Sequence, residues 1–211
     1  MRLVTKKAPL RRMLRWVQHV LFACAVLLLG YYGFVLVDTW VFQRQQGRDL
    51  ERLLHTDRAT STRTTQAGPP LAPEGPPTVA AGGLIGRMEI PRLGLSMVVA
   101  EGIDGRTLRR AIGHIPGTAL PGQLGNVGIA GHRDTFFRPL EDIHVDDIIE
   151  ITTPWGEYRY RVVSSRVVSP DDVAVLNPTS NEVLTLVTCH PFYFVGPAPN
   201  RFIVRAERVS G

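Results

Sequence analysis

The run VLFACAVLLLGYYGFVLV, residues 20–37, carries no charge and divides this chain in two. A helix needs roughly 20 apolar residues to cross a bilayer, and Trp16 and Val17 extend the run towards that length. Arg2, Lys6, Lys7, Arg11, Arg12 and Arg15 precede it. A basic flank stays on the cytoplasmic side and sends the following part outside. Trp16, Tyr31, Tyr32 and Trp40 suit placement towards the membrane interfaces. The expected layout is a cytoplasmic basic tail, 1–15, and a transmembrane anchor, 16–40.

Two rival readings attach to Cys24. Ala23-Cys24-Ala25 mimics a signal-peptide cleavage site, and Leu21-Phe22-Ala23 before the cysteine mimics a lipidation signal. Thirteen more uncharged residues follow Cys24, so cleavage there would leave a mature protein with an apolar tail. An uncleaved anchor, with Cys24 facing lipid, fits the length better.

The formal net charge of +5 is unevenly placed. Residues 1–58 hold ten Lys and Arg against four Asp and Glu, whereas 84–211 hold 13 Arg, no Lys and 14 Asp and Glu. The basic excess belongs to the membrane flank, which removes the main support for nucleic-acid binding. Between these parts, Gln43–Leu54 suits a polar helix with Gly47 as a weak point. From His55 to Gly83 the sequence turns to Thr, Ser, Ala, Gly and Pro. Such a segment has little to bury, so 41–83 is expected to be a juxtamembrane segment and flexible stalk before a domain at 84–211.

Within that domain LIGRMEI and LGLSMVVAEG suit two strands set by a turn at Pro91. TLRRAIGHIPG begins as a short helix and breaks at Pro116-Gly117, and GNVGIAGHR is a glycine-rich strand. DIIEITTPWGEYRYRVVSSRVV reads as a hairpin about Pro154-Trp155-Gly156, in which Tyr158, Tyr160 and Val162 alternate with Arg159 and Arg161. VLTLVTC and RFIVRAERV are the last two strands. Seven or eight short strands with little helix predict an all-β closed or partly closed barrel.

Cys189 has no partner cysteine in this domain. Outside the cytoplasm an unpaired thiol is a hazard unless buried or used. It ends a strand where a Pro- and Gly-rich loop begins, a position that fixes a side chain yet leaves it accessible. A thiol becomes a nucleophile when a neighbour takes its proton or favours its thiolate. His19 and His55 lie outside the domain, and His144 sits in an acidic stretch. His190 follows Cys189 directly, so its side chain should point to the opposite sheet face. His114 has the setting of a satisfied, partly buried imidazole. His132, at the end of GNVGIAGH, holds the strand-end position a catalytic group needs. If RFIVRAER pairs with VLTLVTC as a hairpin, Arg201 lies near Cys189, where a guanidinium can hold a carbonyl or an oxyanion. Taken alone, Arg201 reads more readily as a solvated strand arginine.

Together these features resemble the sortases, membrane-anchored cysteine transpeptidases of bacterial surfaces. Thr185-Leu186-Val187-Thr188-Cys189 matches the family's Thr-Leu-x-Thr-Cys motif, Arg201 its arginine on the next strand and His132 its mid-domain histidine. HIPGTALPG, GHRDTFF and TCHPFYFVGPAPNRFIVRA are most similar to class D. The resemblance covers 84–209 and implies an eight-stranded closed β-barrel with short helices. It implies a Cys189 thioester with a C-terminal LPxT-like sorting motif of a surface protein, His132 as acid and then base, and Arg201 as oxyanion partner. Thr188 would add a hydrogen bond. The acceptor amine would come from a peptidoglycan precursor or a pilin-like lysine, and residues 170–181 would help select the motif.

Other readings fit less well. A zinc site needs three or four clustered ligands, and no spacing supports one. A papain-like cysteine opens a helix, and the SHGC-type motif of L,D-transpeptidases is missing. A cysteine hydrolase of surface peptides, or a non-catalytic tethered binding domain, stays open from the residues alone. Glu141-Asp142 and Asp146-Asp147 lack the regular spacing of a calcium loop and read as a solvated acidic turn. The expectation is therefore no cofactor and no metal.

Overall fold

Alternation of inward and outward side chains organises the domain into eight strands. The computed structural model describes residues 8–63, 79–194 and 196–209. The strands are β1 (Leu84–Ile90), β2 (Leu95–Glu101), β3 (Ile112–His114), β4 (Asn126–Ala130), β5 (Ile148–Thr153), β6 (Gly156–Val168), β7 (Val183–His190) and β8 (Asn200–Arg208). They close a barrel in the order β1-β2-β3-β4-β7-β8-β6-β5, sealed where β1 meets β5. The pairs β2–β3 and β4–β7 are parallel and the rest antiparallel. The expected barrel is therefore present, and it is fully closed.

An eight-stranded barrel is just wide enough for side chains to fill it. Met88, Ile90, Val127, Ile129, Ile149, Ile151, Tyr160, Leu184, Leu186 and Val204 do so, all fully buried. The β5–β6 hairpin turns at Pro154-Trp155 as its sequence indicates, with Ile151 opposite Tyr158 and Ile149 opposite Tyr160. Asp104 starts the helix α2 (Gly105–Arg110) by accepting from the backbone N–H groups of Arg106 and Thr107 at 2.8 and 3.2 Å, the usual role of an N-cap carboxylate. The chain then enters β3, a three-residue strand where only a helix breaking at a turn was expected.

One irregularity interrupts the pairing of β6 with β8. Val162 faces Ala206 across β6 and β8, but the next pair is Ser164 with Arg205, so Val163 is an extra residue. A one-residue slip exchanges the two faces of a strand. Beyond the bulge, Ser164 and Arg166 pair with Arg205 and Ile203; without it their parity would be that of inward-facing Tyr160 and Val162.

The N-terminal helix, α1 (Ala8–Arg63), runs through Gly47 and past His55, where the stalk was expected to begin. Residues 64–78, the remainder of most of that stalk, lie outside the described residues. Within α1, Arg12–Asp38 is long and apolar enough to cross a membrane.

The acidic turn corrects an expectation. Asp147 is buried and not solvated. It accepts from the Nε and Nη2 of Arg92 and, at 2.8 Å, from the backbone N–H of His144. Arg92 also donates to the Asp142 carbonyl. The hydrogen bond from Arg92 holds the Asp147 carboxyl below the usual carboxylate range, so this acidic cluster already has an internal cation. Among the described residues no group of three or more His, Cys, Asp or Glu could hold a metal ion.

Candidate active site

β7 is central to the site, because β4 lies on one side of it and β8 on the other. Cys189 and Arg201 are direct cross-strand partners on β7 and β8. Opposite residues in an antiparallel pair share a face, with Cα atoms about 4.5–5.5 Å apart. The parallel pairing of β4 with β7 ends at Ala130 opposite Val187. His132 lies two residues beyond the first and Cys189 two residues beyond the second. The three sequence-predicted residues thus come together at one end of three adjacent strands. Cys189 and Arg201 are half-buried and His132 is exposed.

Thr188 and Gly131 fix this arrangement. Gly131 donates its N–H to the Val187 carbonyl at 3.1 Å, and its own carbonyl accepts from the buried Thr188 hydroxyl at 2.8 Å. A Cβ on Gly131 would stand 2.7 Å from the ring of Phe137, so only glycine admits that fully buried ring beneath the histidine loop. Phe137 in turn donates its N–H to the His132 carbonyl at 3.0 Å. Arg201 donates to the carbonyls of Asn200 and Ala198 at 3.0 and 3.4 Å. A guanidinium has five N–H donors, so others are left for a ligand.

The remaining histidines take the places expected of them. His190 turns from Cys189 into an aromatic cluster, stacked on Phe202 and edge-on to Phe192, and its buried Nδ1 has no hydrogen-bond partner. His114 is buried, with Nδ1 2.7 Å from Glu101 and Nε2 2.9 Å from the Ala119 carbonyl.

Arg133 was missed in the sequence. It donates to the carbonyls of Pro191, Phe194 and Gly196 at 3.0, 2.7 and 3.1 Å. Arg138 lies 3.9 Å above the ring of Tyr193. Two arginines of the histidine loop therefore hold down the loop that follows the cysteine. The only signal was the adjacency of Arg133 to His132, with a proline-rich loop elsewhere whose carbonyls lack enough local donors.

The outer face of β4, β7 and β8 continues from Cys189 down the barrel. Thr185 and Val187 lie on it, opposite Arg205 and Ile203. The segment before β7 forms its wall. Asn126 donates to the carbonyls of Val175 and Asn177 at 3.0 and 3.2 Å and accepts from Thr185 at 2.7 Å. The 3₁₀ turn Val173–Leu176 is thereby tied to β4.

Comparison with known proteins gives the class: a cysteine transpeptidase. Residues 88–209 match the sortase domain, and the chain belongs to the sortase family, with class D fitting it. Sortase D of Bacillus subtilis is 30% identical over 191 residues, which cover 89% of this chain and 95% of that protein. Among solved structures, a Clostridium perfringens sortase D5 transpeptidase is 34% identical with a TM-score of 0.58, covering 63% of this chain and 83% of its own. A Clostridium perfringens sortase C structure with its C-terminal cell wall sorting motif is 25% identical with a TM-score of 0.58, covering 63% and 74%.

Proposed function

We propose that this chain is a membrane-anchored sortase that uses Cys189 to cleave an LPxT-like motif near the C-terminus of surface proteins. The Cys189 thiolate attacks the carbonyl carbon of the scissile amide, and a C–S bond forms. The tetrahedral intermediate collapses as the C–N bond breaks, and His132 gives its proton to the departing amine. An acceptor amine, from a peptidoglycan precursor or a pilin-like lysine, then attacks the thioester carbonyl; a C–N bond forms, its proton passes to His132, and the C–S bond breaks to return the Cys189 thiolate. Arg201 stabilises the oxyanion in both steps. The pairing of Cys189 with Arg201, with His132 at the end of the neighbouring strand, carries this reading. The sorting motif present in the related sortase C structure supports the substrate class. The chemistry uses side chains alone.

In this reading 1–15 is cytoplasmic, 16–40 crosses the membrane, 41–83 spaces the enzyme from the bilayer and 84–211 works outside. The full chain in detergent, mixed with a library of sorting-motif peptides, should form an acyl adduct on Cys189 visible by mass spectrometry. His132→Ala and Arg201→Ala should remove turnover without unfolding the domain. No adduct with any peptide would sink the proposal. A C-terminal reporter active only in the cytoplasm would overturn the orientation.

A further inference from the structure

The outer face that carries Cys189 also carries a built recess. Ser164, Arg166, Val175, Thr185, Ile203 and Arg205 line a cavity of about 270 Å³. It contains two arginines and no carboxylate. Neither Arg166 nor Arg205 has an ion-pair partner among the described residues. Arg166 reaches this face because of the bulge at Val163, which brings Ser164 opposite Arg205 and sets Arg166 diagonal to it. Diagonal neighbours across an antiparallel pair lie roughly 7–8 Å apart, close enough for two guanidinium forks to converge on one anion. Two like charges lining one recess repel until an anion lies between them.

The position of the recess relative to the thiol selects the ligand. Arg205 is four residues along β8 from Arg201, the partner of Cys189. At about 3.3 Å per residue that is roughly 13 Å. An extended peptide whose scissile carbonyl sits at Cys189 covers that distance in four residues. The acyl part stays attached through the thioester while the amine leaves, so a recess along the strands best serves residues on the acyl side.

We infer that Arg166 and Arg205 form a subsite for an acidic side chain directly preceding the four-residue sorting motif of the substrate. This rests on the transpeptidase reading above and adds a selectivity to it. Ser164 supplies a neutral hydroxyl beside the guanidinium groups, the Thr185 hydroxyl is committed to Asn126, and Val175 carries the wall of the recess on the segment tied to β4.

The test uses the full chain in detergent and peptides of the form X-Leu-Pro-Asn-Thr-Ala-Gly, with X as Glu, Gln or Lys. The Glu peptide should exceed the Gln peptide in kcat/KM by about tenfold, the usual scale of a hydrogen bond to a charged group, and the Lys peptide should be worst. High salt should narrow the gap. Arg166→Gln/Arg205→Gln should abolish the preference, and Arg205→Glu should turn it towards Lys, both with the Gln peptide still processed. Binding of the same peptides to Cys189→Ala, followed by fluorescence anisotropy, reads the subsite without chemistry. A Glu preference in binding that disappears in the double variant supports the subsite even if no peptide is cleaved, an outcome that would count against the sorting-motif reading alone. Equal binding of Glu and Gln peptides, or a preference unchanged in the double variant, would overturn the inference.

Discussion

The hydroxyl of Thr188 donates to the carbonyl of Gly131 at 2.8 Å, so the residue before Cys189 holds the residue before His132. Two loops from strands 57 residues apart in sequence are thereby pinned at the two positions that matter most for the proposed chemistry. Thr188→Val keeps the shape and leaves the buried carbonyl unpaired. It should cost about 1–3 kcal/mol in denaturant unfolding and lower kcat more than it changes KM. Thr188→Ser, which keeps the donor, should restore most of kcat.

Gly131→Ala places a methyl against the Phe137 ring. Overpacking of this kind costs roughly 1–3 kcal/mol, and here the displaced ring belongs to the loop that carries His132. Loss of stability together with loss of turnover is expected. Phe137→Leu in the same chain should recover part of the stability, measured as the unfolding midpoint; no recovery would place the strain elsewhere.

Arg133→Lys should behave almost as badly as Arg133→Ala. One ammonium cannot reproduce a planar fork shared among three carbonyls. Limited proteolysis should find new cleavage within residues 191–199 in both variants, with kcat/KM falling by about tenfold or more. Unchanged proteolysis and activity would refute the clamp.

The bond between Arg92 and Asp147 predicts a pH dependence. The carboxyl of Asp147 is held below its ordinary value, so its contribution is present in full above about pH 3.9. It is lost as the pH falls below that and through the lowered value of the folded state. Arg92 is half exposed, so Asp147→Asn should cost only about 1 kcal/mol at neutral pH. Thermal unfolding at stepped pH should show the two proteins converging in acid.

Much of this molecule is legible in its sequence where the determinants are local. The β5–β6 hairpin is announced by Pro154-Trp155-Gly156, and the β7–β8 pair by apolar alternation on both sides of one loop. Cys189 and Arg201 follow from that hairpin, because register alone makes them partners. β3 is not legible, since three residues show no period and its two neighbours are chosen by tertiary pairing. The burial of Asp147 depends on Arg92, 55 residues earlier, and composition marks such a carboxylate only as polar. The reach of Arg133 to Gly196 spans 63 residues. Val163 looks like any other strand valine until β8 is laid beside it.

That extra valine has a consequence for how such an enzyme can change. It divides β6 into two lengths that answer to different demands. Tyr160 and Val162 are buried in the core, and replacing them puts folding at risk. Ser164 and Arg166, one turn of the pleat further on, line the outer recess and are exposed. If the recess is the subsite inferred above, its preference can drift, or be redesigned, at two positions of a strand whose other half remains fixed.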